Sequence, residues 1–149
     1  PLWATNEAQM TELTIPFLGE TRAAWQYPFA ALAKTGAHIA GGSDWPVSSP
    51  DPLLGMHVAV NRSLPDSAAN PFLPEQAISL RTALAAYTAG SARINGLENT
   101  VGLIKAGYDA DLAIVDADLA AIPDSEICQA SVRQTWVRGE LAYDCEENR

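Results

Sequence analysis

Asp44 is the residue with the clearest claim to chemistry. It stands in Gly42-Ser43-Asp44-Trp45-Pro46, where the apolar run Ala37-His38-Ile39-Ala40 gives way to glycines, a carboxylate and a proline-punctuated stretch. In α/β barrels and open α/β sheets, catalytic groups stand where strands pass into loops at their C-terminal ends. A carboxylate at such a point can ligate a metal or act as a general base. The competing reading is a turn residue, since Asp is common in turns and Trp45-Pro46 follows it. On spacing alone the turn is the better account.

The other reactive side chains are sparser. His38 lies six residues before Asp44. Alternation along a strand puts both on one side, but six extended residues span roughly 20 Å, too far to share a metal. His38 therefore reads as a core or barrel-interior histidine. His57 comes two residues after Gly55, within the proline-punctuated stretch that follows Asp44. Asp44 and the two His are three groups in number, but they are too badly spaced to serve as the three protein ligands a catalytic zinc takes. Cys128 and Cys145 form no C-x-x-C pair and read as buried, inert thiols, because a nucleophilic Cys needs a base and a lowered pKa. Ser43 lacks the G-x-S-x-G context of a nucleophile elbow. Asp109 and Asp111 look like a calcium pair, but no EF-hand spacing follows them. Trp45 either lines a substrate pocket or packs under its loop, and Trp136 reads as core.

The elements that must position Asp44 follow from patterning. Helix-tolerant residues run from Arg22 to Lys34 before Gly36, with Pro28 as a possible first-turn start. Residues 37–42 read as a short buried strand. A loop over 45–74 follows, rich in proline, with room for a short helix from Leu53 to Arg62. Ser79 is a good N-cap for a helix over 79–92, whose residues Leu80, Ala83, Leu84, Tyr87 and Ser91 share one face. Asn95-Gly96 closes it. Beyond, Leu112–Val115 reads as a strand. Thr135–Val137 and Leu141–Tyr143 read as a tight hairpin around Arg138-Gly139-Glu140.

Composition bounds the function. The chain has 149 residues, 48% hydrophobic and 18% charged, enough to build a core. Nine basic residues against 18 acidic ones give a net charge of −9, which argues against nucleic-acid binding and a polybasic membrane role. No apolar run approaches the roughly 18 residues needed to cross a bilayer. Two cysteines fit a reducing compartment, and a cytoplasmic location is expected. Pro1-Leu2-Trp3-Ala4 reads as the middle of a chain, so an upstream part is expected.

Several segments, in order, resemble amidohydrolase family 3 of the metal-dependent amidohydrolases. Gly42-Ser43-Asp44-Trp45-Pro46-Val47 resembles that family's last-strand motif. Leu18–Arg22 resembles the stretch before its penultimate barrel helix, and Val58–Arg62 the stretch after its active-site loop. Ala83–Thr88 resembles the helix after the barrel. Val101–Leu112 resembles its G-x-[IL]-x-x-G-x-x-A-D signature, and Val137–Tyr143 its closing hairpin.

The resemblance implies an α/β fold: the C-terminal part of a (β/α)₈ TIM barrel over 1–96, and C-terminal strands of a small composite β-sandwich over 97–149. It implies a hydrolase of carbon–nitrogen, non-peptide amide-type bonds in a small-molecule substrate. In the family, the residue matching Asp44 binds metal and takes the proton from the attacking water. The other metal ligands come from earlier strands that have no counterpart in this sequence. A divalent metal, zinc by preference, is thus expected in the full-length protein and none in this chain alone. The family has no fixed ligand at the place of His57, so the resemblance implies a surface or substrate-facing residue there, and it implies a turn or cap role for Asp109 and Asp111, which match the opening of a strand far from the family's active site. Substrate-binding residues stay unassigned. The alternative is a non-catalytic, self-associating fragment lacking the metal-binding histidines. In either case a homo-oligomer, or association with a missing N-terminal part, is expected.

Overall fold

The computed structural model describes residues 10, 12–68 and 70–147, a mixture of short helices and one small sheet. Two four-residue helices, α1 (Ile15–Leu18) and α2 (Glu20–Ala23), precede α3 (Phe29–Lys34). The helix expected over Arg22–Lys34 is thus broken, and its second half begins directly after Pro28. Proline has no N–H to donate and its ring clashes with the preceding turn, so a helix starts at it more easily than it crosses it. Gly36, at φ 79°, ends the turn after α3.

Residues 37–44 run without regular structure, which corrects the strand expected at 37–42. A strand needs a neighbouring backbone to form a ladder. The three strands among the described residues all lie within 112–144 and pair with one another. Residues 37–40 make no backbone–backbone hydrogen bond to a described residue.

Helix α4 (Pro52–Asn61) falls where the short helix was expected. Asp51 caps it, its Oδ1 accepting from the Leu53 N–H at 2.8 Å, and Pro52 occupies the first turn. Ser79 likewise caps α5 (Leu80–Ala85), its hydroxyl accepting from the Thr82 N–H at 3.2 Å. The expected single helix over 79–92 runs on to Ile94, but a π-turn (Ala86–Gly90) separates α5 from α6 (Ser91–Ile94). The end is a Schellman motif. Gly96, at φ 69°, donates to Arg93 O at 3.0 Å, and Leu97 donates to Ala92 O at 2.9 Å.

The sheet has order β1-β2-β3, with β1 (Leu112–Val115), β2 (Val132–Val137) and β3 (Glu140–Asp144) antiparallel throughout. Leu112 faces Trp136 across one ladder, and Val137 faces Glu140 across the other. The hairpin turn Arg138-Gly139 has φ 52° and 80°, as a two-residue type I′ turn requires. It is tied to the start of β1: Arg138 N–H donates to Asp111 Oδ1 at 2.8 Å, and Gly139 N–H to Ala110 O at 3.1 Å. Asp111 therefore serves the turn, in keeping with the role the family resemblance implied.

One core joins these pieces. Ala30, Leu53, Met56, Ala59, Ile78, Ala83, Ile127 and Ala130 are buried together, and Val115, Leu119 and Val132 pack against them. The 3₁₀ segment Asp124–Gln129 lies against α4 and links the helical half to the sheet. Arg62, fully buried at the end of α4, ties three stretches by their carbonyls: Nε to Phe72 O at 2.8 Å, and the terminal nitrogens to Tyr27 O at 3.2 Å and Gln26 O at 3.5 Å. Its guanidinium also lies 5.4 Å from the Phe29 ring centroid and 5.9 Å from that of Phe72.

Candidate active site

Asp44 is exposed at the end of the irregular segment, with its backbone in the left-handed region at φ 58°. Asp and Asn enter that region more readily than other residues with a side chain. The following turn is made by main chain: Val47 N–H donates to Asp44 O at 2.7 Å, around a cis bond between Trp45 and Pro46. Ser43 Oγ accepts from Trp45 N–H at 3.2 Å, and Ser48 Oγ donates to Ser43 O. The turn reading of Asp44 is thus satisfied by its backbone. The carboxylate itself makes no hydrogen bond to a described residue. Trp45, 67% exposed, and Val47 stand beside it.

The segment leading to Asp44 rests on the helix after Ser79. Gly41 N–H donates to Ala86 O at 2.8 Å. The Tyr87 ring fills the space between Gly41 and Gly55, and a Cβ on Gly41 would come within 2.6 Å of it. Burial, with the Asp51 carboxylate nearby, raises the Tyr87 phenol above its ordinary value.

Both histidines stand elsewhere than expected. His38 is exposed, because residues 37–40 have no strand beside them to enclose it. It lines an open groove of about 450 Å³ with Ile39, Ala89, Arg93 and Leu103. His57 is only 3% exposed, because it lies on α4 where that helix meets Asp124–Gln129. Asn61 Nδ2 lies 3.4 Å from His57 Nδ1 and donates to Asp124 O at 2.8 Å. Burial lowers the His57 pKa, with the Asp66 carboxylate opposing. Neither histidine joins Asp44, and no three His, Cys, Asp or Glu among the described residues come close enough to hold a metal ion. The donor set of these residues therefore does not fit a metal centre.

The thiols are free and half-buried. Burial pushes the Cys128 thiol up, away from nucleophilic use, and Asp66 and Asp51 add to this. Cys145 Sγ lies 3.6 Å from an Arg133 guanidinium nitrogen. Trp136 is half-buried in β2. No helix among the described residues is long and apolar enough to cross a membrane. The sequence reading missed Tyr87 and Ser91 as supports of the Asp44 segment. The available signal was the pairing of small residues, Gly41 and Gly55, with a helix face bearing a tyrosine.

The sequence profile of the amidohydrolase family matches residues 3–143, nearly the whole chain. The chain belongs to amidohydrolase family 3. Two relatives of this amidohydrolase chain illustrate the match. YtcJ of Bacillus subtilis strain 168 is 33% identical over 128 residues, covering 85% of the chain and 24% of that protein. N-substituted formamide deformylase of Arthrobacter pascens is 30% identical over 118 residues, covering 79% of the chain and 21% of that protein. Among solved structures, an uncharacterized metal-dependent hydrolase from Pyrococcus horikoshii OT3 superposes with a TM-score of 0.67 at 28% identity, over 82% of the chain and 24% of that structure. The amidohydrolase chain thus spans about a quarter of the length of the proteins it matches.

Proposed function

We propose that this amidohydrolase chain supplies the proton-handling carboxylate, Asp44, of a metal-dependent hydrolase that cuts a carbon–nitrogen, amide-type bond in a small molecule. In this reading residues 37–42 take the place of the last strand of a (β/α)₈ barrel, and 97–149 belong to a small β-domain completed by other strands. The observation that carries it is the state of Asp44: exposed, past the pinned Gly41, with the turn closed by its main chain and the carboxylate unengaged among the described residues. A carboxylate so placed takes a proton from an attacking water and returns it to the leaving nitrogen as the bond breaks. The formamide deformylase among the relatives supports an N-acyl amine as the substrate class. The metal ligands other than Asp44 lie outside the described residues of this chain in this reading.

The test is Asp44→Asn in the whole protein that contains this chain, with formate release from an N-alkylformamide and carboxylate release from N-acyl amines as readouts. Asn keeps the size and loses the base. The expected result is a rate lower by about 10²-fold or more. An Asp44→Asn protein that hydrolyses these amides at the unmodified rate would overturn the reading.

A second reading is favoured by one observation. Ile114, Val137, Leu141 and Tyr143 are exposed on the sheet, which supports self-association of the 149-residue chain; in this second reading the chain by itself is a self-associating unit and catalysis belongs to the longer protein.

A further inference from the structure

One face of the helix that follows Ser79 holds the segment leading to Asp44, and the π-turn interrupts that helix where the two meet. Three residues of the face make the contact. Gly90 brings its backbone against Ile39, so closely that a Cβ on Gly90 would land on the Ile39 carbonyl oxygen. The Tyr87 ring occupies the space beside Gly41. Ser91 Oγ lies 3.1 Å from Gly41 O and 2.9 Å from Ala86 O, so its one hydroxyl proton is shared between two carbonyls.

The π-turn makes this arrangement available. In an unbroken α-helix the Ala86 carbonyl would be taken by the N–H four residues on. Here it accepts from the Ser91 N–H, five residues on, and also from the Gly41 N–H at 2.8 Å. Gly41 is consequently held at both its N–H and its carbonyl by one place on the helix. Residues 37–40 before it have no backbone–backbone tie to a described residue. Gly41 is therefore the anchor from which the chain runs three residues to Asp44.

We propose that Ser91 is a positioning residue for Asp44: through the Gly41 carbonyl its hydroxyl fixes where the segment ends and where the carboxylate stands. The proposal rests on the reading of Asp44 as the proton-handling carboxylate. Ser91 itself touches neither substrate nor reacting atoms.

The experiment uses the 149-residue chain, with backbone amide exchange and chemical shifts read by NMR for Ser91→Ala, Ser91→Thr and Gly90→Ala. In Ser91→Ala the Gly41 amide is expected to exchange about tenfold faster and the Asp44 and Trp45 resonances to move, while amides of α4 and β2 keep their protection. Ser91→Thr, which retains the hydroxyl, restores both. Gly90→Ala keeps Ser91 but crowds Ile39, and moves the same Asp44 resonances. Unchanged Gly41 exchange in Ser91→Ala would overturn the proposal. So would a uniform loss of protection across the chain that Ser91→Thr fails to restore, since that marks a contribution to general stability. None of these readouts needs a substrate, so they fail or succeed apart from the Asp44→Asn hydrolysis test. A responsive Gly41 together with a dispensable Asp44 removes the catalytic purpose and overturns the proposal as well.

Discussion

His57 shows how far a single side chain departs from its sequence neighbourhood. The family resemblance implies a surface or substrate-facing residue, yet His57 is buried on α4 where that helix meets Asp124–Gln129. The sequence from Leu53 to Val60 is apolar nearly all round, so it marks no solvent face on which to place a histidine. Burial favours the neutral ring and holds the folded pKa below the ordinary 6.5, while the unfolded ring titrates near that value. Between the two, the unfolded chain binds more protons. The His57 contribution is thus complete above about pH 6.5 and is lost as pH falls through the folded pKa. The expected outcome is that thermal midpoints between pH 7 and 5 fall less steeply in His57→Gln than in the unmodified chain. Parallel curves would show that His57 does not couple to folding. Arg62 is a second residue with no sequence signal. A basic side chain at a helix end is ordinarily solvated, and only the convergence of Gln26, Tyr27 and Phe72 carbonyls makes its burial tolerable.

At the scale of elements, local chemistry was readable and pairing was not. Ser79 announces α5 because an N-cap is satisfied within three residues; Asp51 carries the same signal for α4, which the expected start at Leu53 did not use. The hairpin is equally local, since Arg138-Gly139 sets its own turn. Gly139→Ala tests this. An added Cβ meets only Ala110 Cβ, at 4.0 Å, so the cost is conformational and not steric. A loss of about 1 kcal/mol in urea unfolding is expected from forcing a side chain into the left-handed region. No measurable loss would mean the turn relaxes to another type. By contrast, the π-turn at 86–90 was invisible, because apolar spacing at i, i+3 and i+4 suits a helix with or without it. The run 37–42 carried a signal of apolar character, which does not specify a ladder partner. Asp44 was legible only through the family pattern around it, since its own spacing favours a turn that the main chain does in fact make.

For the whole molecule, the sheet is the unfinished part. Its two outer strands, β1 and β3, have one edge each without a partner among the described residues. Ile114, Val137, Leu141 and Tyr143 add exposed apolar surface. Open edges template pairing, and burial of a few hundred Å² of apolar surface contributes several kcal/mol at roughly 25 cal/mol per Å². We propose that the chain associates, with a second copy or with further strands of the longer protein. Sedimentation equilibrium of the 149-residue chain at micromolar concentration is expected to give a mass above that of one chain. A single species at the monomer mass would refute self-association.

The Tyr87 ring has a consequence for how this sequence can drift. Gly41 and Gly55 face it from opposite segments, and neither has room for a methyl group while the ring is in place. These three positions form a unit of joint variation: either glycine can grow only after residue 87 has shrunk. A double-mutant cycle makes this measurable, since Gly55→Ala should be costly alone and much less so with Tyr87→Leu. Strictly additive effects would show the positions to be free of one another. Across descendants of this sequence, lineages that keep the tyrosine are expected to keep Gly41, which faces the ring carbons, more strictly than Gly55, which faces the hydroxyl at the end of the side chain.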